Sequence, residues 1–162
     1  MNTAWIALRA ALYTTGFLLL WAWLAYWAHR QDAALGMWLP PWLAPIGVVL
    51  MVAGAALVLA CLAVFVVRGR GTPAPFDAPR AFVASGPYRW VRNPMYIGAF
   101  LLLLGYALCA GSVAALGIPV VLILAAHTFV LLYEEPTLED RFGEGYRAYK
   151  RATPRWIPHP PR

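Results

Sequence analysis

The chain is an all-α membrane protein by its sequence, and three observations say so. It is 62% hydrophobic and only 12% charged over 162 residues, whereas a soluble domain carries roughly a quarter charged residues. Its apolar residues are gathered into long uncharged runs, each able to supply the ~20 residues that a helix needs to cross a bilayer. Its basic residues cluster between those runs in one consistent alternation. Together these predict four transmembrane helices over about 10–28, 44–67, 95–110 and 113–133, in one membrane domain covering 1–162. A cytoplasmic loop over 68–94 joins helices two and three, and a cytoplasmic tail over 134–158 follows helix four.

The first two runs, Ala10 to Ala28 and Ala44 to Val67, each supply one span. The first is longer than the apolar core of a secretory signal and has no small-residue cleavage site after it, so a retained anchor is expected. The third run, Met95 to Tyr133, is long enough for two spans. Ala110-Gly111-Ser112 is the expected turn between them, with Gly117 and Pro119 as a second place for it. Arg9, the arginines of the 68–94 segment and the basic residues after Tyr133 fall on one side of a four-span fold, and only Arg30 falls on the other. The positive-inside rule then places both termini and the central loop in the cytoplasm, and a bacterial inner membrane is the expected location. The same bias explains the net charge of +6, which needs no nucleic-acid partner; membrane lipid headgroups are the expected counter-charge.

The loop between spans two and three holds five prolines and the aromatics Phe76, Phe82, Tyr88 and Trp90. Leaving these aromatics in water is unfavourable, so an ordered segment on the membrane surface is expected. After the last span, Pro136 suits the first turn of a new helix. Leu138, Phe142, Tyr146 and Tyr149 then recur at helical spacing, which predicts an amphipathic C-terminal helix. Gly143 and Gly145 weaken it by up to about 1 kcal/mol each, so something outside the helix must hold it. Cys61 and Cys109 fall in spans near opposite faces, too far apart for a disulfide, and are expected to be small packing residues.

The chemistry-bearing residues collect at one face. Glu134 and Glu135 would by themselves mark only where a helix leaves the bilayer, and Arg92 by itself would be an interface arginine. A hairpin formed by the third run brings the two ends together. Opposite charges beside a bilayer suit a ligand that carries both signs. His127, an ionisable residue within the fourth span and about two turns before Glu134, joins them as a candidate. No Cys or His cluster suggests a metal.

The segment Ser85-Gly86-Pro87-Tyr88-Arg89-Trp90-Val91-Arg92-Asn93-Pro94-Met95-Tyr96-Ile97-Gly98, followed by Glu134-Glu135, Leu138, Phe142-Gly143, Tyr146, Tyr149 and Pro154, resembles the two signatures of the isoprenylcysteine carboxyl methyltransferase family and its phospholipid methyltransferase relatives. The resemblance implies an integral membrane enzyme that uses S-adenosylmethionine without a soluble Rossmann domain. On that pattern Tyr88, Arg92, Asn93, Pro94, Tyr96 and Gly98 line the cofactor pocket from one side. Glu134, Glu135 and Leu138 line it from the other, and Tyr146 and Tyr149 close it; His127, a candidate through its place in the fourth span, is expected beside them. Arg151 and Arg155 are the candidates for orienting a carboxylate acceptor. Asn93 stands where many members have His, and Gly145 where many have an acid, which points to a different acceptor class. The expected activity is methyl transfer to a lipophilic acceptor, with an isoprenylcysteine-like carboxylate favoured. The alternatives are amine N-methylation of a phospholipid and a non-catalytic four-helix membrane protein. A small multidrug-type transporter is disfavoured, because no span contains Asp or Glu.

Overall fold

A computed structural model describes residues 3–69 and 83–160. Among these residues the chain is helical and has no strand, only an isolated bridge between Trp38 and Ser112. The principal helices are α1 (Thr3–His29), the single turn α2 (Asp32–Leu35), α3 (Ala44–Val64), α4 (Pro94–Cys109), α5 (Gly117–Phe129), α6 (Glu135–Phe142) and α7 (Glu144–Ala152). Three helical stretches are long and apolar enough to cross a membrane: Ala4–Leu35, Pro41–Val67 and Ala114–Phe142. α4 is apolar but shorter. Its 16 residues rise about 24 Å.

The α3–α4 pair is the closest packed, for a reason written in its glycines. Gly47 and Gly54 lie seven residues apart, as do Gly98 and Gly105. The antiparallel helices bring these pairs face to face. A Cβ at Gly47 would stand 2.6 Å from the Gly105 carbonyl oxygen, and one at Gly54 would stand 2.6 Å from that of Gly98. Only glycine permits this contact, and dispersion between touching backbones replaces the hydrophobic drive that lipid does not supply.

α1 packs differently. Ile6 and Ala10 near one end, and Ala25 and Ala28 near the other, are buried, but no residue between 11 and 24 is. Between its buried ends the helix touches the bundle only in part, with Leu18 and Trp21 half-buried against the core cluster and Phe17 edge-on to Tyr96.

The end of the bundle at the α4–α5 connection is tied by polar groups. The chain reverses at Ala110 to Val113, with Gly111 at φ +64°. The fully buried Asp32 accepts from the Ala114 backbone N–H at 2.9 Å and lies 3.0 Å from His29 Nδ1, with the Ser112 hydroxyl as a further partner. Leu39 N–H donates to Gly111 O at 2.8 Å. Cys61 is buried and Cys109 exposed, both as free thiols.

Three expectations need correction or placement. α6 is not a separate helix: α5 passes through one π turn, Val130–Glu134, directly into it, and Pro136, which has no N–H to donate, comes just after that irregular turn. The amphipathic tail is two helices rather than one, since Gly143 takes φ +56°, ψ −131° between α6 and α7. Of the expected ordered loop, residues 70–82, including Phe76 and Phe82, lie outside the described residues, while Ser85 to Asn93 are folded onto the bundle.

Candidate active site

The site is built where the start of α4, the end of α5 and the tail converge. A 3-10 turn, Gly86–Arg89, delivers Arg92 and Asn93 to the α4 N-terminus. Pro94 opens that helix, where its missing N–H costs nothing. The tail then crosses this segment as a strap. Arg92 N–H donates to Pro154 O at 2.9 Å, and His159 N–H to Trp90 O at 3.0 Å. Asn93 Nδ2 donates to Arg155 O at 3.2 Å, and Tyr149 Oη to Tyr88 O at 2.7 Å. These bonds hold the glycine-weakened tail helices in place.

The two adjacent glutamates play different parts. Glu135 is 3% exposed and is held by three cations. Arg155 grips both its oxygens at 2.8 and 2.9 Å, Arg92 Nη2 lies at 3.3 Å, and Lys150 Nζ at 3.7 Å. A bidentate charge-assisted pair of this kind is the strong form of the interaction. It pushes the Arg155 guanidinium further above its ordinary value. Glu134 is held far less: the Tyr96 phenol donates to it at 3.5 Å. Burial, with the Glu135 charge next, raises the Tyr146 phenol, and burial likewise raises that of Tyr149. Both therefore stay neutral donors at any ordinary pH.

Arg92 is the unsatisfied member. Its side chain is 9% exposed, and beyond the Glu135 contact its Nε and Nη1 are buried without a hydrogen-bond partner among the described residues. Buried donors are rarely left orphaned, because each costs about 1–3 kcal/mol of lost hydration. An anion from outside the described residues would satisfy them.

Two cavities meet at this arginine. The smaller, about 50 Å³, lies on the Glu135 side under Leu138, Phe142, Tyr146 and Tyr149. The aromatic stripe of the tail thus faces one space despite the break at Gly143. Room for one or two waters is all it offers. The larger, about 570 Å³, has Arg92, Asn93, Tyr96, Tyr88 and Glu134 at one end and apolar residues of α1, α3, α4 and α5 elsewhere. That is the size of a small-molecule site, and it opens on Glu134, not Glu135.

Other residues singled out from the sequence sit elsewhere. Gly98 packs against Val58 and Gly54 of α3 and borders neither cavity. Pro94 is fully buried at the head of α4. His127 Nδ1 accepts from Trp156 Nε1 at 2.9 Å, which ties the strap to α5. Arg151 pairs with Glu144 at 2.6 Å on the exposed side of α7, away from both cavities. Sequence reasoning overlooked the α1 wall of the larger cavity, Thr14 and Phe17 among it. Thr14 and Gly16, the small residues interrupting that apolar run, were the available signal. Trp156 and Lys150 were also overlooked, since nothing before folding links them to His127 or Glu135.

A family model described as phospholipid methyltransferase matches residues 42–145. The chain belongs to the phospholipid methyltransferase family. It is 41% identical over 64 residues to an uncharacterized protein of Haemophilus influenzae, an alignment covering 39% of this chain and all of that one. Membership makes it a membrane methyltransferase. The family match takes in Arg92, Glu134 and Glu135, and stops short of α1 and α7's tyrosines.

Proposed function

We propose that this methyltransferase uses S-adenosylmethionine and delivers its methyl group to a lipophilic acceptor at the cytoplasmic face of the membrane. The single observation carrying the reading is Arg92, nine-tenths buried, with two donor nitrogens unpaired among the described residues, lining a 570 Å³ cavity that Glu134 also lines. A carboxylate would satisfy Arg92 and an ammonium would pair with Glu134. One amino-acid end of a cofactor presents both.

S-adenosylmethionine would supply an already activated methyl on a sulfonium. The protein's residues then have to bind, align and exclude water rather than perform acid–base chemistry. Tyr88 and Tyr96 also line that space, and an aromatic ring face attracts a cation. Glu135, Arg155 and Lys150 act one step back, holding Arg92 in place and fastening the tail across the site. α1, α3, α4 and α5 serve as four spans on this reading. The basic loop and tail lie on the cytoplasmic side, and α4 is a short span of about 24 Å.

Between a carboxylate acceptor and a phospholipid amine, Arg155 is the residue that changes from expectation. Its guanidinium is committed to Glu135, so it does not offer a free carboxylate site as the acceptor-orienting role requires. The test is transfer of labelled methyl from S-adenosylmethionine into a membrane lipid extract by purified protein. A labelled lipid product that disappears with Arg92→Ala is expected. Equal labelling by that variant would contradict the assignment.

A further inference from the structure

The strap that crosses the site has two faces, and only the inner one is accounted for. Thr153 is buried, Arg155 is committed to Glu135, and the half-buried Trp156 donates to His127. The Trp156 ring also stands edge-on to that of Tyr96, 6.4 Å away, so it is wedged between α4 and α5. Ile157, the next residue, is 79% exposed. Trp90, whose carbonyl accepts from His159 N–H, is 47% exposed. In a tail surrounded by water, both side chains would forgo most of the gain that burial gives them.

Depth removes that difficulty. His127 stands seven residues before Glu134 on the apolar helical stretch Ala114–Phe142, about 10 Å nearer the middle of a bilayer. An indole that reaches His127 draws the strap into the boundary layer of the membrane. Leu131, Leu132 and Tyr133, on the intervening turns, are exposed as well. Arg89, beside Trp90, is exposed, and its guanidinium meets no acid among the described residues. Neither 83–93 nor 153–160 contains Asp or Glu. Apolar and aromatic side chains at the boundary, with an unpaired arginine next to them, match a headgroup layer of negative charge.

We propose that the outward face of the strap, Ile157 with Trp90 and Arg89, docks on anionic lipid headgroups, and that this docking holds the strap shut across Arg92 and Asn93. The strap is then an interfacial anchor and not a free cytoplasmic tail. Its inner bonds, Arg92 N–H to Pro154 O and Asn93 Nδ2 to Arg155 O, set its register. The membrane surface supplies the packing that its outer face lacks. Detaching it would uncover the Arg92 segment, so lipid charge sets how often the site opens. This goes beyond the preceding reading and does not depend on which cofactor the site takes.

Depth is read first, on the full chain in nanodiscs. A nitroxide is attached to Ile157→Cys in a Cys109→Ala background, whose remaining thiol, Cys61, is buried. Relaxation by oxygen, which concentrates in hydrocarbon, should exceed relaxation by a water-soluble nickel chelate. A label on Ala148→Cys, on the exposed side of α7, should show the reverse. Closure is read second, as chymotrypsin cleavage after Trp156. Cleavage should be slower in phosphatidylcholine discs that contain phosphatidylglycerol than in phosphatidylcholine alone. Arg89→Gln should remove about fivefold of that protection, the share of one basic residue at an anionic surface. Ile157→Asp should speed cleavage in both lipids. Both positions are exposed, so these variants should fold, which their thermal midpoints check; the lipid dependence of the wild-type protein needs no variant.

A label at position 157 that the nickel chelate reaches as readily as the one at 148 overturns the docking. Wild-type cleavage indifferent to phosphatidylglycerol, or full protection in Arg89→Gln, overturns the anionic partner. Spin–spin broadening between labels at 157 would put a second copy of the chain on the patch and overturn the lipid. Loss of cofactor binding with the label still at the boundary would sink the preceding reading alone. An aqueous label with cofactor binding intact would sink this one alone.

Discussion

Each end of the bundle carries a covered polar cluster, and the two are finished differently. At the α4–α5 connection, Asp32 is fully buried and its oxygens are met by His29, Ser112 and the Ala114 N–H. At the opposite end, Arg92 is nearly as deep, yet two of its nitrogens lack a partner and a 570 Å³ space begins there. A closed set of hydrogen bonds marks a fastening, and on the proposed reading the open set beside a void is where the cofactor binds. The same contrast separates Glu135 from Glu134 within a single pair. Three cations surround the first, and a distant phenol reaches the second.

Variants at the two ends should therefore fail in different measurements. The largest effect is expected at Arg92. Its alanine variant should bind S-adenosylmethionine ten to a hundredfold more weakly, the size of about 1.5–3 kcal/mol for hydrogen bonds to a charged group. Equilibrium dialysis reads it, and Glu134→Gln should weaken binding in the same direction. Next comes Glu135→Gln, which leaves Arg155, Lys150 and Arg92 facing a neutral amide. A loss of about 2–3 kcal/mol in unfolding free energy is expected, at the low end for a broken buried pair because Arg155 and Lys150 still reach water. Asp32→Ala should cost about 1–2 kcal/mol, as for a lost helix cap, and leave cofactor affinity unchanged. A fall in affinity there would erase the distinction between the two ends. The smallest effect is assigned to Tyr149→Phe, which removes the bond to Tyr88 O and should cost about 1 kcal/mol. Protease sensitivity after α7 would report loosening of the strap.

Much of this site could be read before folding, and the limits have physical causes. Arg92, Tyr96 and the glutamate pair are close in space because one uncharged run joins them as a hairpin, and hydropathy alone reveals that run. The division of labour between Glu134 and Glu135 was not legible. It depends on which face of the π turn each occupies and on an arginine twenty residues later. The family resemblance put Gly98 in the pocket beside Tyr96, whereas two residues further along the helix the chain faces Val58 and Gly54 of α3. The single C-terminal helix failed at Gly143, whose left-handed φ is invisible to a periodicity of apolar residues. Asp32 escaped notice because a lone acid in a short loop gives no sign that it will be buried against Ser112 and Ala114. The role of α1 was hidden for a related reason: a helix that packs along only part of its length has the same composition as one that packs throughout.

The most direct test compares the affinity of S-adenosylmethionine with that of its decarboxylated analogue, for the wild-type protein, Arg92→Ala and Asp32→Ala. The account predicts that wild-type and Asp32→Ala proteins prefer the carboxylate-bearing cofactor by about tenfold or more, and that Arg92→Ala loses the preference. Equal affinities in the wild-type protein, or a preference that survives the loss of Arg92, would contradict it.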